Sequence, residues 1–236
     1  MFTAAGSAVL LVHAAPAITA LRGVRLALFP RLAGIGDRSH IALTFDDGPD
    51  PASTPRFMAA LDQFGVRATF FVLGAMLARA PGLGRDLVAA GHEVAVHGWT
   101  HDNLLVRTPA ATLAELARTR DLIERLTGCQ PHYFRPPYGV LTTAALLAAR
   151  RLDLTPVLWT CWGKDWLEKS TPDSVFSTLR AGLSPGGTVL LHDSDCTSAP
   201  GAWRSALAAV PRLLEHCARQ GLRVGALAEH YRPTIL

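Results

Sequence analysis

Short apolar segments alternate with helical stretches from Ile41 onward, and this alternation constrains the fold more than any other feature of the sequence. Parallel strands need long crossover connections, which helices supply, and strands covered on both faces are rich in apolar and β-branched residues. The pattern therefore predicts a parallel α/β sheet, either an incomplete barrel or an open wound sheet. The predicted strands are 41–45, 68–73, 93–96, 132–134, 154–159, 188–191 and 223–227.

Proline and glycine mark the predicted helix boundaries. Thr-Pro pairs begin at Thr54, Thr108 and Thr171, and each places a capping hydroxyl before a proline at the first helical position. Glycines follow the helical stretches, where a left-handed C-cap is favoured. These glycines are Gly65, Gly91, Gly128, Gly182 and Gly221.

An apolar extension, residues 1–38, precedes the predicted domain of residues 39–236. Its apolar run is interrupted by His13, Pro16, Arg22 and Arg25. It falls short of the roughly 20 apolar residues of a transmembrane helix and lacks the basic start of a signal peptide. We expect an element that packs on the domain, with a signal-like segment as the alternative. The compartment is left open between the cytoplasm and an exported or cell-envelope location.

Charge and cysteine spacing exclude several classes of protein. The chain has 23 Lys and Arg against 19 Asp and Glu, and the charges are scattered, so we expect no nucleic-acid partner. No CxxC spacing occurs, which excludes a zinc ribbon. Four reduced, mostly buried thiols are expected, with a Cys161–Cys196 disulfide as the alternative in an oxidising compartment.

Polar and charged side chains follow the predicted strands at their carboxyl ends. Parallel strands present these ends at one rim, where α/β proteins build their active sites. The sequence therefore predicts a single site at this rim. Its candidate residues are Asp46 and Asp47 after the first strand, His97 and His101 after the third, Arg135 and Tyr138 after the fourth, Asp165 and Trp166 after the fifth, and His192 after the sixth.

Asp47, His97 and His101 form a candidate site for a divalent metal. Two imidazoles and one carboxylate leave an open coordination position, as in catalytic zinc sites. Zinc is the expected ion, and cobalt could replace it. A histidine pair at this spacing is weak evidence alone, but the Asp-Asp pair on the same rim strengthens it.

The neighbouring groups suit hydrolysis. Asp46 is free to act as a general base on a metal-bound water, and Arg135 would hold it ionised. His192 is the candidate acid, oriented by Asp165. Structural ion pairs are the alternative interpretation of Arg135 and Asp165. A nucleophile within 192–196 is disfavoured because that stretch has no strand–turn–helix elbow and no separate histidine.

Five ordered motifs resemble those of the polysaccharide deacetylases, the family 4 carbohydrate esterases with a NodB-homology domain. They are Thr44-Phe45-Asp46-Asp47-Gly48-Pro49, His97-x-x-x-His101, Arg135-x-Pro137-Tyr138, Asp165-Trp166 and Leu190-x-His192. The resemblance covers residues 40–227. It implies a distorted (β/α)7 barrel and metal-dependent hydrolysis of N-acetyl groups, usually on sugars.

The resemblance also implies roles for individual residues. It makes Asp46 the base, His192 the acid, and Asp47, His97 and His101 the metal ligands. Arg135 would orient the base and Asp165 would tune the acid. The backbone N–H of Tyr138 would stabilise the oxyanion.

The chain departs from the family pattern at two positions. Gly98 stands where the second motif usually has Ser or Thr, and Trp162 stands where the fourth usually has an acid. Together with Trp99 and Trp166, Trp162 is expected to line the cleft, because aromatic faces pack on sugar rings and acyl chains. Trp159 and Trp203 are expected in the core.

The sequence therefore predicts an amide-hydrolysing, metal-dependent deacetylase of a chitooligosaccharide, peptidoglycan or related glycan. One alternative is an N-deacylase of a small-molecule or lipid-linked N-acyl sugar. Another is a catalytically silent sugar-binding domain, which is disfavoured because every residue needed for turnover is present.

Overall fold

Eight parallel strands form the sheet on which this fold is built. The computed structural model describes residues 11–231. The strands are β1 (His40–Asp46), β2 (Thr69–Leu73), β3 (Glu93–Gly98), β4 (Tyr133–Phe134), β5 (Thr155–Pro156), β6 (Cys161–Trp162), β7 (Thr188–His192) and β8 (Arg223–Gly225). Their order is β5-β4-β3-β2-β1-β7-β6, and β8 pairs with the start of β1.

The sheet curls because its two edge strands, β5 and β6, are neighbours in the chain. Only residues 157–160 join them, so the two ends of the strand order must lie close together. The result is the distorted (β/α)7 barrel that the family resemblance predicts, and the parallel α/β prediction is confirmed.

The fifth predicted strand is the main correction to the predicted elements. Residues 154–159 were expected as one strand, but only Thr155–Pro156 pairs with β4. The chain then turns, and Cys161–Trp162 forms a separate strand beside β7. Residues 157–159 are buried but are not strand residues. Their apolar character therefore reflects burial alone, and it made the strand appear longer than it is.

Helices cover the outside of the sheet. Their bounds are Arg22–Leu28, Thr54–Gln63, Gly74–Arg79, Pro81–Ala89, Pro109–Thr127, Thr143–Arg151, Pro172–Gly182, Trp203–Arg219 and Leu227–His230. Shorter 3₁₀ segments span Ala15–Ala20, Leu104–Val106 and Pro137–Gly139. Within the described residues, no individual helix has the length and apolar character needed to cross a membrane. The pair Leu11–Ala20 and Arg22–Leu28 meets that criterion only when taken together, and it bends by 91° at the break.

Most of the predicted helix caps are present. Thr108 and Thr171 accept hydrogen bonds from the backbone of the third helical residue. Thr54 does not cap its helix, because it is the first helical residue and its hydroxyl accepts from the backbone N–H of Asp50 at 2.8 Å while donating to Asp193 Oδ2. Gly182 is not a left-handed C-cap either. It lies inside its helix, where a Cβ atom would sit 3.1 Å from Cys161 Sγ, so close packing explains the glycine there.

Strand alternation separates the core from the site. Ile41, Leu43 and Phe45 of β1 face the helices and pack in the main core. The alternate residues, including Thr44 and Asp46, therefore face the inside of the barrel. The inner face is consequently polar at the carboxyl end of β1.

All four cysteines are free thiols, so no disulfide joins Cys161 to Cys196. Cys161 and Cys217 are buried, whereas Cys129 and Cys196 are exposed. Only half of the thiols are therefore buried, fewer than expected.

Candidate active site

Asp46 and Asp47 lie where β1 ends at the rim of the barrel, and both are buried. Asp47 adopts a left-handed backbone conformation with φ of 79°, which is unfavourable for a non-glycine residue. This turn of the chain lets two consecutive carboxylates serve the same site. Such strain is retained where surrounding structure enforces it, typically at functional sites.

Asp47, His97 and His101 offer ligand atoms that all lie within 4.8 Å of one another. Asp47 Oδ1 is 3.3 Å from His97 Nε2 and 3.7 Å from His101 Nε2, yet it is buried without a hydrogen-bond partner. His97 Nδ1 donates to the carbonyl of Arg135 at 2.8 Å, which leaves Nε2 as the ligand atom. This donor set fits a divalent cation.

The three groups perturb one another electrostatically. Burial alone would raise the pKa of Asp47, but the neighbouring imidazoles, that of His97 first among them, lower it well below its usual range. Burial would lower the pKa of His97, and the charges of Asp46 and Asp47 instead raise it. Burial and the charge of His97 lower the pKa of His101 to about 4. At neutral pH these effects favour an ionised carboxylate and at least one neutral imidazole.

Arg135 fills the inside of the barrel and holds Asp46. Its side chain is fully buried, and Nη1 donates to Asp46 Oδ1 at 2.6 Å and to the Thr44 hydroxyl at 2.8 Å. The other guanidinium nitrogens donate to the carbonyls of Val157 and Leu158. Asp46 Oδ2 lies 3.8 Å from His97 Nε2 and is therefore the carboxylate oxygen directed toward the metal cluster.

His192 and Asp165 form the second pair. Asp165 accepts from His192 through both oxygens, from Nδ1 at 3.1 Å and from the backbone N–H at 2.8 Å. Burial would lower the pKa of His192, but the charge and hydrogen bond of Asp165 outweigh it and raise that pKa to about 10. The imidazole is consequently protonated at neutral pH, as a general acid requires.

One cavity of about 250 Å³ joins these groups at the mouth of the barrel. Asp46, His97, His101, Tyr138 and His192 line its polar side. The ring of Tyr138 packs edge-on against His101 with centroids 4.4 Å apart. The opposite wall is aromatic, because Trp162 packs against both Trp159 and Trp166.

The structure places most of the sequence-predicted residues around this cavity, with two differences among the tryptophans. Trp99 does not line it, and packs instead against Gly74 and the guanidinium of Arg118. Trp159 was expected in the core and is indeed buried, but it also lines the cavity. Sequence reasoning missed this because burial and cavity lining are compatible for a large ring.

Thr197 is a second residue that sequence reasoning missed. Its hydroxyl donates to Asp47 Oδ2 from the loop after β7, and the residue lines the cavity. Nothing in the local sequence signals this contact, because it depends on how that loop folds back over β1.

Gly98 has a structural explanation. Its φ of 126° is a conformation that L side chains rarely adopt, and a Cβ atom would lie 3.0 Å from the Thr100 carbonyl. Instead of a hydroxyl at this position, Glu115 Oε1 accepts from the backbone N–H groups of Trp99 and Thr100. Glu115 of the Pro109–Thr127 helix thereby holds the loop between His97 and His101 in place.

Several known proteins are similar to this chain in sequence and architecture. A family model described as polysaccharide deacetylase matches residues 33–157. A chitooligosaccharide deacetylase from Bradyrhizobium sp. (strain ANU 289) is 39% identical over 178 residues, covering 75% of this chain and 79% of that protein. The peptidoglycan-N-acetylglucosamine deacetylase PgdA of Listeria monocytogenes is 32% identical over 170 residues, covering 72% of this chain but 36% of that protein.

A solved structure extends the comparison to the fold. The crystal structure of the Bc1960 peptidoglycan N-acetylglucosamine deacetylase superimposes with a TM-score of 0.78 at 27% sequence identity. The match covers 84% of this chain and 91% of that one.

Proposed function

Because this chain belongs to the polysaccharide deacetylase family and is a hydrolase of amide bonds, we propose that it removes N-acetyl groups from amino sugars of a chitooligosaccharide, peptidoglycan or related glycan. The observation that carries the proposal is the convergence of the Asp47–His97–His101 cluster, Asp46 and His192 on one cavity. A catalytically silent domain would not need to keep both a base and an acid there. Residues 39–236 are proposed as the catalytic domain.

Asp47, His97 and His101 would hold a divalent cation, with zinc as the proposed ion and cobalt as a substitute. When bound, such an ion lowers the pKa of water and polarises the substrate carbonyl. The remaining chemistry belongs to the chain. Asp46 Oδ2, directed toward the cluster, takes the proton of the attacking water, while Arg135 orients Asp46 by donating to Oδ1.

Collapse of the tetrahedral intermediate needs a proton on the leaving nitrogen. His192 supplies it, because Asp165 holds the ring through Nδ1 and keeps it protonated. The backbone N–H of Tyr138 is proposed to stabilise the oxyanion. Water adds to the carbonyl carbon, the C–N bond breaks, and acetate and a free amino sugar leave.

The aromatic wall is proposed to bind the sugar or its acyl group. Trp162 and Trp166 offer ring faces at the mouth, in place of the acid that the family pattern has at position 162. Trp99 is not assigned a binding role, because it lies away from the cavity. A lipid-linked N-acyl sugar is the second candidate substrate, since Tyr138 and Trp162 also expose apolar surface at the mouth.

Acetate release from a panel of substrates tests this proposal. The panel contains N-acetylglucosamine oligomers, peptidoglycan fragments and small N-acetylated sugars, each assayed with added zinc. Release from an oligomer or a fragment would support the glycan assignment. No release from any of them, with stoichiometric metal bound, would contradict it and favour the lipid-linked candidate.

Removal of divalent metal should abolish turnover. Because the ion supplies several kcal/mol of transition-state stabilisation, we expect chelation to lower kcat by at least about 100-fold. The measurement is acetate release before and after dialysis against chelator, with bound metal quantified. Added zinc should restore activity to the native chain but not to His101→Ala at the same zinc concentration. Full activity without bound metal would contradict the proposed ligand set.

Replacing Asp165 with Asn should shift the pH profile. The native charge raises the pKa of His192, so its loss lowers that pKa. The acid must be protonated to act. As the pH rises, the variant should therefore begin to lose activity at a lower pH than the native chain. We expect the alkaline limb of kcat/KM to move down by at least about one pH unit. Glu168→Gln, two positions after the site tryptophan Trp166, is the control. An unchanged alkaline limb would show that Asp165 does not set the pKa of the catalytic acid.

A further inference from the structure

The N-terminal segment, residues 11–29, lies against the stretch that joins β5 to β6 and against the start of the Thr143–Arg151 helix. Near its start, the Val12 carbonyl accepts from the Thr143 hydroxyl at 2.6 Å. Near its end, Arg22 Nε donates to the Thr160 carbonyl at 3.0 Å. Thr143 begins the helix that follows β4, near the carboxyl end of that strand, whereas Thr160 precedes β6 and pairs with Thr188 at the start of β7. The segment therefore runs along the side of the barrel, beside the stretch that joins β5 to β6.

The polarity of this segment is inverted relative to an ordinary surface helix, which turns its charged residues to water. Arg25 is only 4% exposed, and it donates to the carbonyls of Trp159 and Ala20. The apolar side chains point the other way: Ile18, Leu21 and Leu28 are 54%, 61% and 68% exposed. The segment thus uses its buried arginine to attach to the barrel and presents apolar side chains outward.

The segment carries a large share of the exposed apolar side chains. Of the fourteen large apolar side chains that are exposed among the described residues, six belong to the N-terminal segment. Such a concentration of exposed apolar side chains in one short segment marks an interaction surface.

The charge of the region favours one kind of partner. Residues 1–36 contain three arginines and neither Asp nor Glu. Two of these arginines, Arg22 and Arg31, are exposed beside the apolar side chains. Exposed apolar groups flanked by cationic groups and free of acids match an anionic lipid surface, in which apolar side chains enter the acyl boundary and arginines meet the headgroups.

We propose that the N-terminal segment forms a docking surface for an anionic lipid bilayer. The 91° bend between Leu11–Ala20 and Arg22–Leu28, together with the contacts of Arg22 and Arg25 to the barrel, sets the segment along the interface instead of across it. The inference rests on surface chemistry and is independent of the proposed reaction.

Vesicle flotation tests the proposal. The full chain, with its mass verified as residues 1–236, is mixed with vesicles of phosphatidylcholine alone or of phosphatidylcholine with phosphatidylglycerol. We expect flotation with the anionic vesicles, weakened by salt. The triple variant Ile18→Ser, Leu21→Ser, Leu28→Ser should lower the partition coefficient by at least about ten-fold. The control, Phe64→Ser with Val106→Ser, removes exposed apolar groups outside the segment and should bind like the native chain.

Circular dichroism and the thermal midpoint establish that both variants are folded, and neither readout depends on catalysis. Absence of binding to either kind of vesicle would overturn the proposal, as would equal binding by the triple variant. A native dimer that the triple variant makes monomeric, without vesicle binding, would assign the surface to a second copy of the chain. Resistance of bound protein to alkaline carbonate would indicate a span and would overturn interfacial docking.

Discussion

Replacement of Asp46 by Asn should lower kcat for deacetylation by about 10³-fold, the range expected for loss of a general base. The amide is nearly isosteric and can still accept from Arg135 Nη1 through Oδ1, but it cannot take a proton from water. Metal affinity should change little, because Asp46 is outside the Asp47–His97–His101 cluster. Acetate release and metal titration measure the two quantities on the same preparation.

Asp62→Asn is the matched control for this variant, since it makes the same change at an exposed carboxylate on the outer helix Thr54–Gln63. It should leave both quantities unchanged. Two other results would contradict the assignment. If Asp46→Asn kept a tenth of native turnover, the base would be elsewhere, and if it lost metal together with activity, Asp46 would be a ligand.

Replacement of Arg135 by Met should have the largest effect on stability. The guanidinium is fully buried and donates to Asp46, to Thr44 and to two backbone carbonyls. Its removal leaves the Asp46 carboxylate buried without its cationic partner, and breaking a buried pair in this way costs about 3–5 kcal/mol. Denaturant unfolding should show this decrease in the free energy of unfolding, and turnover should fall because the base is no longer oriented.

The double variant Arg135→Met, Asp46→Asn tests the physical reason. If the cost comes from an unpaired carboxylate, the double variant should be more stable than the sum of the two single effects allows. Arg118→Met is the control, because Arg118 stacks on Trp99 at an exposed position and its loss should cost less than about 1 kcal/mol. Additive effects would show that Arg135 acts mainly by filling space inside the barrel.

Elements of the fold that depend on local signals were predictable from the sequence. β1 and β7 are continuous apolar runs, and Thr108 and Thr171 cap their helices as expected. The prediction failed where a distant partner decides the structure. The division of 154–159 into β5 and a buried turn depends on which neighbours, β4 and β7, are available to accept pairing.

The residue types of the candidate site were predictable for a related reason. Parallel strands bring their carboxyl ends to one rim, so Asp46, Asp47, His97 and His192 could be grouped from their positions after strands. Contacts made by loops could not be found in this way. Thr197 reaches Asp47 across 150 positions, and Glu115 holds the backbone beside Gly98 from a separate helix.

The sequence by itself determined the architecture and the chemical groups, because strand periodicity and motif order are local properties of the chain. Only the tertiary structure decided which partners those groups contact, how their pKa values shift and which residues surround them. Arg135 becomes the buried partner of Asp46 because the barrel closes around it, and Trp159 lines the cavity because the edge strands meet beside it. The outward apolar face of residues 11–29 likewise exists only because the carbonyls of Trp159 and Thr160 bind the arginines inward. These outcomes depend on contacts between residues far apart in the chain, which no local pattern encodes.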